Sequence, residues 1–292
     1  MTTMDFGIIF ANTLQFTERD GLVHLARSAE EAGFESLWTV EHVIFPDGYT
    51  SEYPYDRSGK MAAEASTPIP DPLIWLSFVA AATERIRLGT GILILPQRNP
   101  LILAKEVATL DRLSGGRLEL GVGVGWLEEE FRALGVPFQD RGARTDEWID
   151  VMRALWDDDH VAFDGRFASF EGASVNPKPA TGRVPITIGG HSTAAARRAG
   201  RLGDGFFPAK GDLPTLIDIM RQTATDAGRD PAAITVTSGS AGVFGDDPVA
   251  AVEELAAMGV DRCVVPAFLF LDDTADALAG FAERVIVPSN AG

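Results

Sequence analysis

The fold of this chain is decided by residues 85–126, which read RIRLGTGILILPQRNPLILAKEVATLDRLSGGRLELGVGVGW. A β-rich run comes first, and Asn99 then caps a helix whose first residue is Pro100. Ser-Gly-Gly at 114–116 ends that helix, and a second β-rich run follows it. The stretch therefore predicts a strand, a helix and a second strand parallel to the first.

Both predicted strands run out into glycines, namely Gly91 in the first and Gly121, Gly123 and Gly125 in the second. The carboxyl ends of neighbouring parallel strands lie at one edge, where α/β proteins bind their ligands. Because glycine has no Cβ, we predict bare backbone there, against which a flat ring could lie. The search for a functional site therefore begins at this edge.

The charge of the chain limits its partners. Its 292 residues carry a formal net charge of −17 without a Lys/Arg cluster, so the chain repels nucleic acid and anionic membranes. No apolar run approaches the roughly 20 residues of a membrane helix, and the amino terminus has no basic leader. The lone Cys263 is predicted to be a buried core residue. We expect a cytoplasmic protein that binds neither nucleic acid nor membranes.

Strand-like and helix-like segments alternate from end to end. Strands are predicted near 5–10, 35–40, 86–93, 118–122, 186–188, 204–208, 234–238 and 262–266. Helices are predicted near 18–31, 72–82, 100–113, 145–156, 193–202, 213–226, 248–258 and 275–285. About eight βα units favour a (β/α)8 TIM barrel over an open doubly wound sheet, and we predict a single domain over residues 1–292.

Two connections are too long for plain turns. The first, 42–70, follows strand two and holds all three tyrosines, which favours a lid or pocket wall over the strand end. The second, 157–179, precedes strand five, and its Asp164-Gly165 pair between alternating apolar residues predicts an inserted β-hairpin. The barrel is therefore expected to carry insertions after strand two and before strand five.

The four histidines differ in their position relative to the strand ends. His24 lies in the first helix pattern and His160 in the hairpin, so both are predicted to be structural or solvent-facing. His42 follows strand two and His191 follows strand five, so these two reach the functional face. Glu41 could tune the basicity of His42 if the two side chains converge. No His-x-His or Cys cluster accompanies them, and we predict no metal site.

The turn between strand five and its helix has the features of a phosphate site. Gly189 and Gly190 precede Ser192, a natural N-cap, and free backbone N–H groups at a helix start attract anions. The alternative is that the glycines only permit a tight turn. The late position in the barrel favours the phosphate.

The residues on either side of Trp126 allow two further predictions. The run GVGVGW has Trp126 where the dinucleotide motif G-x-G-x-x-G needs its third glycine, so a Rossmann-type site is excluded. The acidic run that follows, WLEEEFRALG, predicts a solvated helical turn that packs down through Phe131 and Leu134.

Three stretches resemble the luciferase-like monooxygenase superfamily: WTVEHVIFP at 38–46, the block at 89–126 and ITIGGHS at 186–192. The resemblance covers nearly the whole chain, and GVGWLEEEFRALGVPF with the following RGARTDE is typical of the F420-dependent oxidoreductase branch. It implies a (β/α)8 barrel that binds FMN or the deazaflavin F420 at the strand ends. Since members often form dimers, the resemblance also implies a homodimer by analogy.

Carried over by position, the resemblance implies that His42 lies beside the cofactor ring and moves a proton. It implies a non-prolyl cis peptide at Gly91–Ile92. The implied cofactor-binding set is Trp38, Gly91, Ile92, Val122, Gly123, Val124, Gly125, Gly189, Gly190 and His191. The predicted substrate contacts are Phe45, Tyr49 and Trp126. Some F420 dehydrogenases carry a glutamate acid where Trp126 stands here, so their two-residue mechanism does not transfer whole.

The first functional hypothesis is an F420-dependent oxidoreductase that transfers a hydride between the deazaflavin and a small organic substrate under the loop 45–70. His42 would supply or take the accompanying proton. The alternative is an FMN-dependent monooxygenase that takes reduced flavin from a partner reductase and reacts it with O₂. A hydrolase or lyase would need a catalytic Lys, a metal cluster or an acid pair at the strand ends. A non-catalytic flavin-holding protein is the remaining alternative.

Overall fold

A computed structural model describes residues 3–291 as a closed barrel of parallel strands surrounded by helices. The barrel strands are β1 (Asp5–Ile9), β2 (Ser36–Thr39), β3 (Arg87–Thr90), β4 (Leu118–Gly123), β5 (Ile186–Gly189), β6 (Gly205–Phe207), β7 (Thr235–Ser238) and β8 (Arg262–Pro266). Each strand pairs in parallel with the next, and β8 pairs with β1. The predicted (β/α)8 TIM barrel is confirmed.

The helices follow the predicted order. They are α1 (Arg19–Glu31), α2 (Pro72–Ala82), α3 (Pro100–Ser114), α4 (Glu128–Ala133), α5 (Arg141–Asp157), α6 (Thr193–Leu202), α7 (Leu213–Asp226), α8 (Pro248–Ala257) and α9 (Thr274–Phe281). Asp71 and Asn99 accept backbone N–H groups at the starts of α2 and α3, as expected of residues before proline. α5 begins at Arg141, before the predicted start near 145, and Arg144 in its first turn is buried and donates to the carbonyl of Pro137.

Both predicted insertions are present. The connection 40–71 leads from β2 to α2, and the hairpin strands Val161–Asp164 and Ser169–Ala173 lie between α5 and β5. The Glu147 carboxylate on α5 accepts backbone N–H groups from Phe167 and Ala168 at 2.7 Å each, which fixes the hairpin turn to the helix. No helix in residues 3–291 is long and apolar enough to cross a membrane.

Below the mouth, the barrel is filled by a buried ion network. Arg262 on β8 donates to Glu35 at 2.9 Å and to Glu119 at 3.1 Å, and its guanidinium lies 5.1 Å from the centre of the Trp38 ring. A Cβ at Gly89 would lie 2.5 Å from that ring, so glycine is required there by packing. Cys263 is fully buried as predicted, and burial raises the pKa of its thiol to about 12.

Candidate active site

The mouth of the barrel brings His42 against an acidic side chain that the sequence did not mark as functional. His42 follows β2, and its Nδ1 lies 3.3 Å from Oε2 of Glu130 on α4. The other oxygen of Glu130 accepts the backbone N–H groups of Val43 at 2.7 Å and Ile44 at 3.3 Å. Gln97 donates through Nε2 to Oε2 at 3.1 Å. One carboxylate therefore holds both the His42 ring and the backbone that follows it.

The Glu130 side chain is fully buried, whereas His42 keeps 10% of its side-chain surface exposed. Burial raises the pKa of Glu130, but hydrogen bonds from His42, Gln97 and the Ile44 amide together outweigh burial and hold that pKa below its usual value. An ionised carboxylate only accepts hydrogen bonds, so Nδ1 of His42 carries a proton and Nε2 is left to exchange one. The pair is suited to proton transfer by an oriented imidazole.

The prediction that the acidic run after Trp126 is a solvated turn is wrong at Glu130. Phe131 is buried as expected and Leu134 is half-buried, but Glu130 is buried with them. The missed signal is helical spacing, because Leu127 and Leu134 flank Glu130 at three and four residues and so share its face. A carboxylate on an apolar helical face needs a partner, and His42 supplies it.

Glu41 does not serve His42, so the idea that it tunes the basicity of the imidazole is corrected. The carboxylate of Glu41 is buried, accepts the Ile94 N–H at 2.5 Å and pairs with Arg98. Arg98 also bonds Asp71 at 2.8 Å. Burial raises the pKa of Glu41, against the opposing effect of Arg98. Glu41 therefore ties the end of β2 to the connection before α3.

The predicted substrate contacts meet His42 in one aromatic cluster. Ring centres lie 5.7 Å apart for His42 and Phe45 and 5.8 Å apart for His42 and Trp126. Tyr49 closes the cluster at 5.6 Å from Phe45 and 5.7 Å from Trp126. Edge-to-face contacts of this kind stabilise the arrangement beyond simple burial. The structure thus brings Phe45, Tyr49 and Trp126 together with the candidate catalytic residue.

The line of rings continues across the mouth to the second histidine. Tyr53 lies 5.1 Å from Trp126, Tyr55 lies 5.3 Å from Tyr53, and His191 lies 5.1 Å from Tyr55, measured between ring centres. Burial raises the pKa of Tyr53 to about 12 and also raises that of Tyr55, so both hydroxyls are neutral. The loop after β2 therefore lies over the mouth and forms its wall, as predicted.

α4 also anchors the middle of this loop. Glu129 accepts the Thr50 N–H at 2.7 Å through Oε1, and the Ser51 hydroxyl donates to Oε2 at 2.6 Å. The bond from Ser51, followed by those from Thr50, lowers the pKa of Glu129 to about 2. Neighbouring glutamates on one short helix thus hold two points of the same loop, the His42 end and the 50–51 turn.

The strand-end glycines do not leave bare backbone. A Cβ at Gly123 would lie 2.4 Å from Cδ1 of Ile92, one at Gly125 would lie 2.7 Å from the Phe131 ring, and one at Gly121 would lie 1.8 Å from a carbonyl oxygen of β3. The prediction of an open face for a flat ring is therefore wrong at these three glycines. Atoms of the protein itself fill the space that the missing Cβ atoms leave.

The Gly91–Ile92 segment is the part of this wall that stays accessible. Its peptide bond is cis, which confirms the prediction, and both residues are half-buried. The Ile92 side chain covers Gly123 and also approaches within 2.4 Å of the Cβ position of Gly189. Val124 and Gly125 are half-buried beside it. The mouth is therefore bounded here by the Ile92 side chain rather than by glycine backbone.

Two predicted cofactor contacts lie beneath the mouth rather than in its wall. Trp38 is fully buried, donates through Nε1 to Ser36 at 2.8 Å and packs edge-on against Phe207. Val122 is fully buried in the main core. Neither side chain has surface left for a ligand, so both are corrected from direct contacts to supporting residues.

The turn after β5 has the predicted N-cap, but the backbone N–H of Gly190 is not free. Ser192 caps α6 by accepting the Ala195 N–H at 3.1 Å, as expected. Gly190 has φ of +124°, which favours glycine, but its N–H donates to Phe207 at 3.2 Å and is not free for an anion. The donors that a helix start offers therefore lie in the first turn of α6.

His191 carries the clearest unmet polar group of this turn. Its Nδ1 is buried and has no hydrogen-bond partner among residues 3–291. Burial, followed by the charge of Lys210, lowers the pKa of the imidazole, so His191 is neutral at neutral pH. A buried polar atom without a partner is costly, which points to a ligand group at this position.

The sequence of this barrel matches the luciferase-like monooxygenase family model over residues 4–279. The chain belongs to this family. The luciferase-like chain is 34% identical over 253 residues to the F420-dependent glucose-6-phosphate dehydrogenase of Rhodococcus hoagii, covering 83% of this chain and 70% of that one. Membership makes it an oxidoreductase.

Two solved structures share the fold of this luciferase-like chain. The coenzyme F420-dependent tetrahydromethanopterin reductase of Methanopyrus kandleri has a TM-score of 0.75 at 19% identity and covers 99% of both chains. Monooxygenase RslO1 of Streptomyces bottropensis has a TM-score of 0.75 at 24% identity and covers 97% of this chain and 99% of that one. At these identities the likeness establishes the barrel and no more.

Proposed function

We propose that this protein is an F420-dependent oxidoreductase that transfers a hydride between the deazaflavin and a small organic substrate. The observation that carries the proposal is the His42–Glu130 pair at the mouth, 3.3 Å apart. Hydride transfer to or from a carbonyl or hydroxyl carbon is accompanied by a proton on oxygen, and this pair offers one. The F420-dependent dehydrogenase relative at 34% identity favours F420 over FMN as the cofactor.

The residues at the mouth fit a cofactor with a planar ring and a phosphate. The half-buried Gly91–Ile92 segment offers an apolar wall, and the first turn of α6 offers backbone donors. The buried Nδ1 of His191 lacks a partner that a ligand oxygen would satisfy. When bound, the deazaflavin would supply a two-electron hydride donor or acceptor. The protein would supply the proton and exclude water.

His42 exchanges the proton in this proposal, and Glu130 positions it. Glu130 is fully buried and cannot touch the substrate, but it fixes the proton on Nδ1 and leaves Nε2 for the substrate oxygen. In the direction of reduction His42 would give its proton to the substrate oxygen, and in the direction of oxidation it would take the proton from the substrate hydroxyl. The loop that carries Phe45 and Tyr49 would cover the reacting atoms and keep water away.

Equilibrium titration of the purified protein with F420 and with FMN tests the cofactor. We expect F420 to bind at least about tenfold more tightly than FMN, a difference of about 1.4 kcal/mol. Tighter FMN binding would instead support the FMN-dependent monooxygenase, which needs a partner reductase. Absence of binding to either cofactor would refute both.

Single-turnover hydride transfer in His42→Ala tests the proton role. If His42 moves the proton, the rate should fall by roughly 10² to 10⁴ while F420 affinity stays unchanged. His24→Ala is the matched control, because His24 is exposed on α1, as the sequence predicted. An unchanged rate in His42→Ala would assign proton transfer to another group or to water.

A further inference from the structure

One sector of the mouth is apolar at its floor. Ile9 at the end of β1 packs against the cluster formed by Trp38, Phe207 and Val264, which belong to β2, β6 and β8. Phe207 and Val264 keep only 7% and 6% of their surface exposed. These side chains place hydrocarbon beneath the ends of β1 and β8.

The rim above that floor is apolar as well. Phe268 and Leu269, after β8, are 46% and 48% exposed, and Leu14, after β1, is 48% exposed. The ring of Phe10 lies 5.8 Å from that of Phe268 and bridges the two strand ends. β1 and β8 pair directly, so these residues are neighbours. Grouped apolar residues exposed at the carboxyl ends of barrel strands are typical of a binding surface.

The segments that follow β1, β7 and β8 disfavour a phosphate group beside them. The segments that follow β1, β7 and β8, residues 10–18, 239–247 and 267–273, contain no Lys, Arg or His and contain five Asp or Glu. A phosphate dianion in this sector would lose water without gaining a cation and would meet like charge. An uncharged molecule meets neither cost.

We propose that the substrate is an uncharged, largely apolar organic molecule whose hydrocarbon part lies against Phe10, Leu14, Phe268 and Leu269. The chain then differs in substrate class from its relatives that are named for glucose 6-phosphate. The reacting end of the substrate lies at His42, and this part of the proposal rests on the proposed function. The apolar sector stands on its own contacts and is tested by binding alone.

Calorimetric titration of the full chain, with and without F420, uses the straight-chain methyl ketones of four, six and eight carbons as probes. A buried methylene contributes about 0.8 kcal/mol, so we expect the affinity to rise about fourfold per methylene. Glucose 6-phosphate should bind no more tightly than glucose. An affinity that does not change with chain length, or a phosphate that strengthens the binding of glucose, overturns the proposal.

Two serine variants locate the surface. Leu269→Ser should weaken binding of the eight-carbon ketone by about five- to tenfold and leave the four-carbon ketone unaffected. Leu113→Ser is the matched control, because Leu113 is 77% exposed at the carboxyl end of α3, away from the mouth. Equal losses in both variants overturn the assignment.

The two proposals fail in different ways. If F420 does not bind but the chain-length dependence is present, the cofactor is wrong and the substrate surface stands. If F420 binds but the dependence is absent, the substrate surface is wrong and the cofactor stands.

Discussion

Replacing Glu130 with Gln tests how the site controls its proton, because this change removes a charge and preserves the shape. Its carbonyl can still accept the N–H groups of Val43 and Ile44, which lie 2.7 and 3.3 Å from Oε1 in the native chain. The new amide then faces His42 and Gln97. Gln97 has a buried Oε1 without a partner among residues 3–291, and this oxygen can accept the new donor. The fold should therefore tolerate Glu130→Gln.

Glu130→Gln should destabilise the protonated form of His42. The amide oxygen stays with the N–H groups of Val43 and Ile44, so the NH2 group takes the place of Oε2. An NH2 group cannot accept from Nδ1, so the imidazolium loses the carboxylate that lies 3.3 Å away. A hydrogen bond to a charged group contributes about 1.5–3 kcal/mol. If all of this energy is lost when His42 becomes charged, the hydride-transfer step slows by about 10- to 160-fold, since 1.36 kcal/mol is tenfold.

Stopped-flow measurement of cofactor oxidation or reduction, at saturating F420, reads that step directly. Glu128→Gln is the matched control, because Glu128 is exposed on the same helix and carries the same charge. It should change the rate less than about twofold, as expected of a surface position. A Glu130→Gln rate equal to that of the native protein, with folding and F420 binding intact, would falsify the role of Glu130 as the positioning residue.

Three further outcomes follow from the structure. Arg262→Met leaves the buried Glu119 without its main cation. The free energy of unfolding, measured by urea titration, should fall by about 3–5 kcal/mol. A loss below about 1 kcal/mol would mean that Arg87 alone is enough to compensate the charge of Glu119. Ser51→Ala removes the largest contribution to the low pKa of Glu129, so amide exchange across 43–51 should quicken at neutral pH, and unchanged exchange would refute the anchor. Because that pKa is depressed to about 2, the loop contact should be intact above the usual carboxylate range near 4.5 and be lost as the pH falls towards 2, which proton NMR of the loop can follow.

The barrel and the position of His42 at its mouth could be predicted because their signals are local. Strand and helix periods, proline helix starts and the position of His42 after a strand are all visible within about ten residues of sequence. The cis bond at Gly91–Ile92 came from the family resemblance. Each of these depends on neighbours in the chain, and the structure agrees with them.

The predictions that were wrong concern contacts between residues that are distant in the sequence. Glu130 is the third of three consecutive glutamates. It pairs with His42, which follows β2 and lies 88 residues earlier in the chain, and local sequence does not reveal that contact. The space over Gly123 is filled by Ile92, and a missing Cβ in the sequence does not reveal which side chain will occupy it. Likewise, Glu41 is next to His42 in the sequence, but the fold pairs it with the distant Arg98.

The tryptophan at position 126 bears on whether the two-residue acid/base mechanism of some F420 dehydrogenases can operate in this chain. The family resemblance implies that some F420 dehydrogenases carry an acid at that position. The carboxylate that the structure places against His42 is Glu130, which is fully buried. Glu130 therefore does not replace the missing acid, because a group without exposed surface cannot exchange a proton with a substrate. Trp126 instead contributes a ring to the cluster beside His42, 5.8 Å away. In the proposed reaction the His42 imidazole would therefore both give and take the proton, and the residues around it would orient it.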